Sequence, residues 1–76
     1  MRPMHRDIEK HHHELIRQLF TVATEILEDT HIVAASGQSA RLTARAQAAK
    51  GKKMAEAAAS LAHIAAVIGA LTRPSA

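Results

Sequence analysis

"AAKGKKMAEAAASLAHIAAVIGA", residues 48–70, decides the fold class of this 76-residue chain. Alanine has the highest intrinsic helix propensity of all residues, and the segment contains no proline to interrupt a helix. The pattern therefore predicts a long second helix over about residues 40–72. Gly51 is its single candidate break, and a break there would give three helices in place of two.

A line made only of Ala and Gly follows one face of this helix, at steps of three and four residues. It is distinct from the face that carries the large apolar residues. Glycine inside a helix costs about 1 kcal/mol relative to alanine, so a glycine in this line favours close approach of another helix. The alternative is that the alanines only cover a solvated face. We call the line the small-residue line and predict that it forms a dimer interface; its members are Ala44, Ala48, Gly51, Ala55, Ala59, Ala62, Ala66 and Gly69.

The first half of the chain predicts an amphipathic helix over about residues 5–34. Apolar residues recur at three- and four-residue steps, and Phe20 and Leu27 widen the apolar stripe. Residues 35–39, "ASGQS", are the predicted turn. Gly37 is expected to take a left-handed conformation there, and Ser36 or Ser39 is expected to cap the second helix.

These elements predict a single all-α domain over residues 1–76, built as an antiparallel helical hairpin. The chain has one Phe and no Trp, Tyr or Cys, so its core is small and no disulfide can stabilise it. Small domains of this kind usually recruit a partner subunit. We therefore expect a homodimeric four-helix bundle, which resembles Rop-type hairpins in architecture alone, and that likeness assigns no function.

Lys50 conflicts with a simple hairpin. If the chain turns near Gly37, Lys50 comes opposite Val22, in the middle of the large apolar face. An isolated ammonium buried there would be too costly to persist. Three solutions stay open: the side chain extends to solvent, it reaches Glu25 or another acid, or the helix breaks at Gly51.

Charge is divided unevenly along the chain. Residues 1–38 carry four Lys and Arg against six Asp and Glu, which gives −2, and residues 39–76 carry six against one, which gives +5. Two antiparallel helices of opposite charge would attract each other. The alternative function is nucleic-acid binding through backbone phosphates, with Arg41, Arg45 and Lys52 on one helix face. No aromatic residues accompany these cations for base stacking, so we do not favour it.

Histidine is concentrated in the first half, which holds five of the six. Helical spacing brings His5, Glu9, His12 and His13 within reach of each other. Imidazole readily binds transition metals, so a metal-binding bundle is the second alternative. We expect adventitious binding of a divalent metal and no physiological cofactor.

Catalytic signatures are absent from the sequence. There is no Gly-x-Ser-x-Gly turn, no phosphate-binding glycine loop and no His-Glu-x-x-His run. Residues 54–72 are long enough to span a bilayer, but Glu56 and His63 disfavour insertion. The sequence therefore predicts a cytoplasmic protein that is not an enzyme, acts as a dimeric interaction or regulatory module and recruits another protein.

Overall fold

The computed structural model describes the backbone of residues 3–73 and the side chains of residues 10–73. It contains two helices, α1 over Pro3–Ser36 and α2 over Ala44–Thr72, joined by residues 37–43. The predicted all-α helical hairpin is confirmed. α2 runs without interruption through Gly51, so the chain forms two helices and not three.

The connection is longer than the predicted turn, and its capping residue is different. Ser36 stays within α1, where its hydroxyl donates to the carbonyl of Val33 at 2.8 Å. The Oγ of Ser39 accepts from the N–H of Arg41 at 3.2 Å and so stabilises a turn ahead of α2. The N-cap is Thr43, whose Oγ1 accepts from the N–H of Ala46 at 3.1 Å. The prediction of a Ser36 or Ser39 cap was wrong.

The predicted left-handed Gly37 is also wrong, because no residue in the described range 3–73 has a positive φ. Instead, the N–H of Gly37 donates to the carbonyls of Val33 and Ala34 at 3.0 and 3.1 Å, which continues the helical pattern of α1. A Cβ on Gly37 would stand 3.3 Å from the oxygen of Ala34. Glycine therefore serves close approach to the preceding turn.

The two helices pack along one line of half-buried residues each. On α1 the line alternates steps of four and three residues, as in a coiled coil. No side chain in residues 10–73 is fully buried. The half-buried lines include His12, Ile16, Leu19, Ala23, Ile26, Thr30 and Val33 on α1, and Ala46, Lys50, Ala57, Leu61, Ile64, Ile68 and Leu71 on α2.

The position of Lys50 gives the register of the hairpin. Its Cδ lies 3.8 Å from where a Cβ would stand on Gly37, and it lines a shallow groove together with Val33. The prediction that Lys50 lies opposite Val22 was wrong, because the connection is longer than expected and moves the pairing toward the turn. Lys50 is half-buried, and no ion pair joins it to an acid in residues 10–73. Its stem packs across the hairpin, which fits extension of the ammonium to solvent.

The hairpin is long and thin. Its principal extents are 64 × 20 × 12 Å, with a radius of gyration of 18.1 Å. A compact domain of this length would have a radius of gyration of about 11 Å. Each helix in the described part of the chain therefore packs on the other along one face, and the rest of its circumference is exposed.

Candidate functional site

The surface carries large apolar side chains that contact no second layer. Phe20 and Leu27 on α1 are 56% and 55% exposed, and Met54 on α2 is 41% exposed. Phe20 and Leu27 are seven residues apart, so they lie on one line along α1. Each follows a half-buried residue, Leu19 or Ile26, by one position and therefore lies about 100° around the helix from it.

A charged groove marks one side of the hairpin. Its volume is about 340 Å³, and its lining includes Asp29 from α1 with Lys53 and Glu56 from α2. Leu27 precedes Asp29 by two residues, and Met54 precedes Glu56 by two. Each is thus rotated by about 200° from the groove residue on its own helix. Leu27 and Met54 therefore lie on the side of the hairpin opposite the groove.

The middle of this second side is apolar on both helices, and exposed His13, His31 and Gln47 lie toward its ends. Beside Met54, α2 contributes the small exposed residues Ala58 and Ala65, which lie on the same side of the helix. On α1, Thr24 lies between Phe20 and Leu27, and its hydroxyl donates to the carbonyl of Phe20 at 2.9 Å. Its polar hydrogen is thus satisfied within the helix. We call this surface the apolar side and define it by Phe20, Leu27, Met54, Ala58 and Ala65.

The small-residue line points largely away from α1. All eight of its members are exposed. Ala55 and Ala59 each lie two residues from Ala57, which faces α1, and so they are rotated by about 200° from it. In a square four-helix bundle, the two neighbours of each helix lie about 90° apart. In such a bundle the centre of the line would face neither neighbour, whereas Gly51 and Gly69 border the apolar side.

The predicted basic stripe is not a single helix face. Arg41, Arg45 and Lys52 are all exposed, but Arg41 belongs to the connection because Thr43 caps α2. Within residues 10–73 the one ion pair joins Arg17 and Glu14 of α1, at 3.6 Å. The predicted attraction between the oppositely charged halves therefore produces no ion pair across this part of the hairpin.

The predicted metal ligands fall partly outside the described side chains. His5 and Glu9 belong to the part of α1 whose side chains are not described. His12 is half-buried and His13 is exposed. Among the described residues, no three His, Asp or Glu side chains are grouped closely enough to hold a metal ion.

α2 meets the length and composition of a membrane-spanning helix. Its most apolar stretch has a mean hydropathy of 1.6, and none of that stretch is buried in the hairpin. Core helices of soluble proteins have the same length and composition. The exposed surface of α2 is therefore compatible with a bilayer or with another helix as its neighbour.

Comparison of the chain with protein-family models, curated proteins and solved structures gives no match. The apolar side, the charged groove and the exposed basic residues are thus interpreted from their own chemistry.

The sequence pattern contained the signal for the apolar side. Sequence reasoning assigned Phe20 and Leu27 to the edge of the stripe that packs on α2. A stripe that includes Ile16, Leu19 and Ile26 as well is wider than one neighbouring helix covers. That excess width is the sequence signal for apolar surface beyond the part that α2 covers.

Proposed function

We propose that this chain is a non-enzymatic helical interaction module that works in the cytoplasm as a homodimeric four-helix bundle and recruits another protein. The supporting observation is that no side chain in residues 10–73 is fully buried. Burial of apolar surface is the main term that offsets the conformational entropy lost on folding. Half-buried contacts along one seam bury little apolar surface. Packing of a second hairpin would bury the additional apolar surface that folding needs.

The accessible surface is consistent with this assembly. One hairpin exposes 6282 Å², so two separate copies expose 2 × 6282 = 12564 Å². A compact protein of twice the chain mass would expose about 7500 Å². The difference, about 5000 Å², is an upper bound because the hairpin is elongated, and it leaves room for the about 2000–5000 Å² that obligate homodimers bury. Association and folding are therefore coupled in this proposal.

Thermal unfolding at several protein concentrations tests the coupling. If folding requires association, the Tm followed by far-UV circular dichroism rises as the concentration is increased by about 100-fold. A Tm that is constant over that range contradicts the proposal. Recruitment is tested separately with a photoreactive residue at exposed Lys52 or His63 in intact cells. One discrete cross-linked protein is expected, and products confined to copies of the chain contradict recruitment.

Phosphate-driven binding of RNA or DNA is a second candidate, because Arg41, Arg45 and Lys52 are exposed and pair with no acid in residues 10–73. Binding of this kind weakens by orders of magnitude between about 50 and 200 mM salt when several phosphates are contacted. Anisotropy titration of labelled nucleic acid at both salt concentrations measures this. An affinity that salt leaves unchanged, or that Arg45→Gln leaves unchanged, rejects the candidate.

A further inference from the structure

We infer that the second copy of the chain packs on the apolar side, with α1 of each copy beside α2 of its partner. This inference rests on the proposed dimer and specifies its interface. The apolar side is chosen over the groove side because Asp29, Lys53 and Glu56 line the groove. Burying those charges would carry a desolvation cost that the uncharged surface avoids.

The apolar side has large residues on one helix and small residues on the other. Phe20 and Leu27 project from α1, and Ala58 and Ala65 of α2 are exposed with only a methyl side chain. The two members of each pair are seven residues apart, which is about two helical turns. The two large side chains of one copy can therefore pack against the two alanines of the other copy. In a twofold interface each contact occurs twice. The surface is thus complementary to a rotated copy of itself.

The register of the hairpin makes these positions level with each other. Ile26 and Ala57 line the same groove, which places Leu27 near the level of Ala58. Phe20 precedes Leu27 by seven residues on α1, and Ala65 follows Ala58 by seven on α2. Because the two helices run in opposite directions, Phe20 comes near the level of Ala65. A twofold axis parallel to the helices preserves these levels between copies. It sets Leu27 against the partner's Ala58 and Phe20 against the partner's Ala65.

The other arrangement, with α1 against α1 of the partner, packs less well. It would crowd the Phe20 and Leu27 side chains of both copies along one seam and leave alanine opposite alanine along the other. Overpacked and underfilled layers both destabilise an interface. The pairing of large with small residues fills both seams evenly.

Light scattering of variants tests whether the apolar side is the dimer interface. It is measured at a concentration where the wild type is dimeric. Phe20→Gln and Leu27→Gln should each raise the dimer Kd at least tenfold, and the measured mass should fall toward that of the monomer. The matched control is Ile32→Gln, because Ile32 is 65% exposed and lies on the face of α1 away from α2. It should leave the dimer intact, as should Ala59→Leu at the centre of the small-residue line.

The outcomes separate this inference from the proposed function. If the wild type is a dimer and Phe20→Gln and Leu27→Gln leave its Kd unchanged, the interface is wrong while the dimer stands. If Ala59→Leu alone dissociates the dimer, the small-residue line is the interface and the inference is overturned. A monomeric wild type overturns both the dimer and its interface.

Disulfide trapping tests which helices meet, in a chain that has no cysteine of its own. Mixing the Phe20→Cys and Ala65→Cys variants should give a disulfide-linked pair under mild oxidation, and Ile32→Cys with Ala65→Cys should not. A linked pair from Phe20→Cys with Leu27→Cys, and none with Ala65→Cys, would overturn the arrangement.

A lipid bilayer is the competing occupant of the apolar side. Flotation with vesicles that contain about 30% anionic phospholipid measures it, and the dimer is expected to stay unbound. Flotation of the wild type that is lost in Phe20→Gln and retained in Ile32→Gln would assign the apolar side to lipid and overturn the inference.

Discussion

The side chain of Lys50 lies across Gly37, with its Cδ 3.8 Å from the position that a Cβ on Gly37 would take. This contact places the start of α2 against the end of α1. Lys50 occupies a position in the half-buried line that an apolar residue would normally fill. Its methylene stem supplies the packing, and a stem of this length allows the ammonium to reach solvent.

Replacing Lys50 tests whether the stem or the charge matters. Lys50→Met keeps an unbranched apolar stem, and we expect its free energy of unfolding to stay within about 0.5 kcal/mol of the wild type. Lys50→Ala removes the packing, and we expect a loss of about 1 kcal/mol. Urea unfolding at one fixed protein concentration measures both. An equal loss in the two variants would show that the charge carries the contact.

The glycines of the chain should respond differently to alanine. Nothing lies within 4 Å of a Cβ built on Gly51, so Gly51→Ala should stabilise the protein by up to about 1 kcal/mol. On Gly37 a Cβ would meet the oxygen of Ala34 at 3.3 Å, so Gly37→Ala should gain little or lose stability. The Tm of the two variants, compared at equal concentration, checks this order. A loss of stability in Gly51→Ala would mean that another chain approaches Gly51 closely.

The cap of α2 gives a local prediction. Thr43→Ala removes the oxygen that accepts from the N–H of Ala46, and we expect a loss of about 1 kcal/mol. Thr43→Ser keeps the hydroxyl and should stay close to the wild type. Matching stabilities for Thr43→Ala and Thr43→Ser in urea unfolding would argue against Thr43 as the cap.

Two apolar residues of α1 test which face packs on α2. Leu19 is half-buried, and Leu19→Ala should cost about 1–3 kcal/mol, below the range for fully buried leucines. Ile32 is 65% exposed, and Ile32→Ala should change stability by no more than about 0.5 kcal/mol. Thermal unfolding of both variants compares them. The reverse order would place the packed face of α1 on its other side.

Helix content and topology could be predicted because they depend on local pattern. The run of alanines without proline predicts α2, and the three- and four-residue spacing of Leu19 and Ile26 predicts the packed face of α1. Continuity through Gly51 stayed open in the sequence because glycine weakens a helix, and the structure shows α2 running through it.

The connection could not be predicted because several polar residues compete to cap a helix. Ser36, Ser39 and Thr43 all carry a suitable hydroxyl, and the choice depends on which one the backbone leaves free. Ser36 bonds back into α1 and Ser39 bonds within the turn, so Thr43 remains. The connection therefore extends to Thr43, and Lys50 lies beside Val33 and Gly37 instead of Val22.

The assignment of residues to the two sides of the hairpin also could not be predicted, because it depends on how α1 and α2 pair. Periodicity places Phe20 and Leu27 at the edge of the packed stripe of α1, but it does not say which residues of α2 share their side. The groove lined by Asp29 and Glu56 decides this, because it identifies the opposite side of each helix. Met54 and the exposed alanines then complete the apolar side.

The solution mass of the untagged wild-type protein tests the central claim most directly. The chain mass is 8.2 kDa, so sedimentation equilibrium should give 2 × 8.2 = 16.4 kDa for the dimer, with dissociation accompanied by loss of helix. A helical, cooperatively unfolding species of 8.2 kDa at all concentrations would contradict the account.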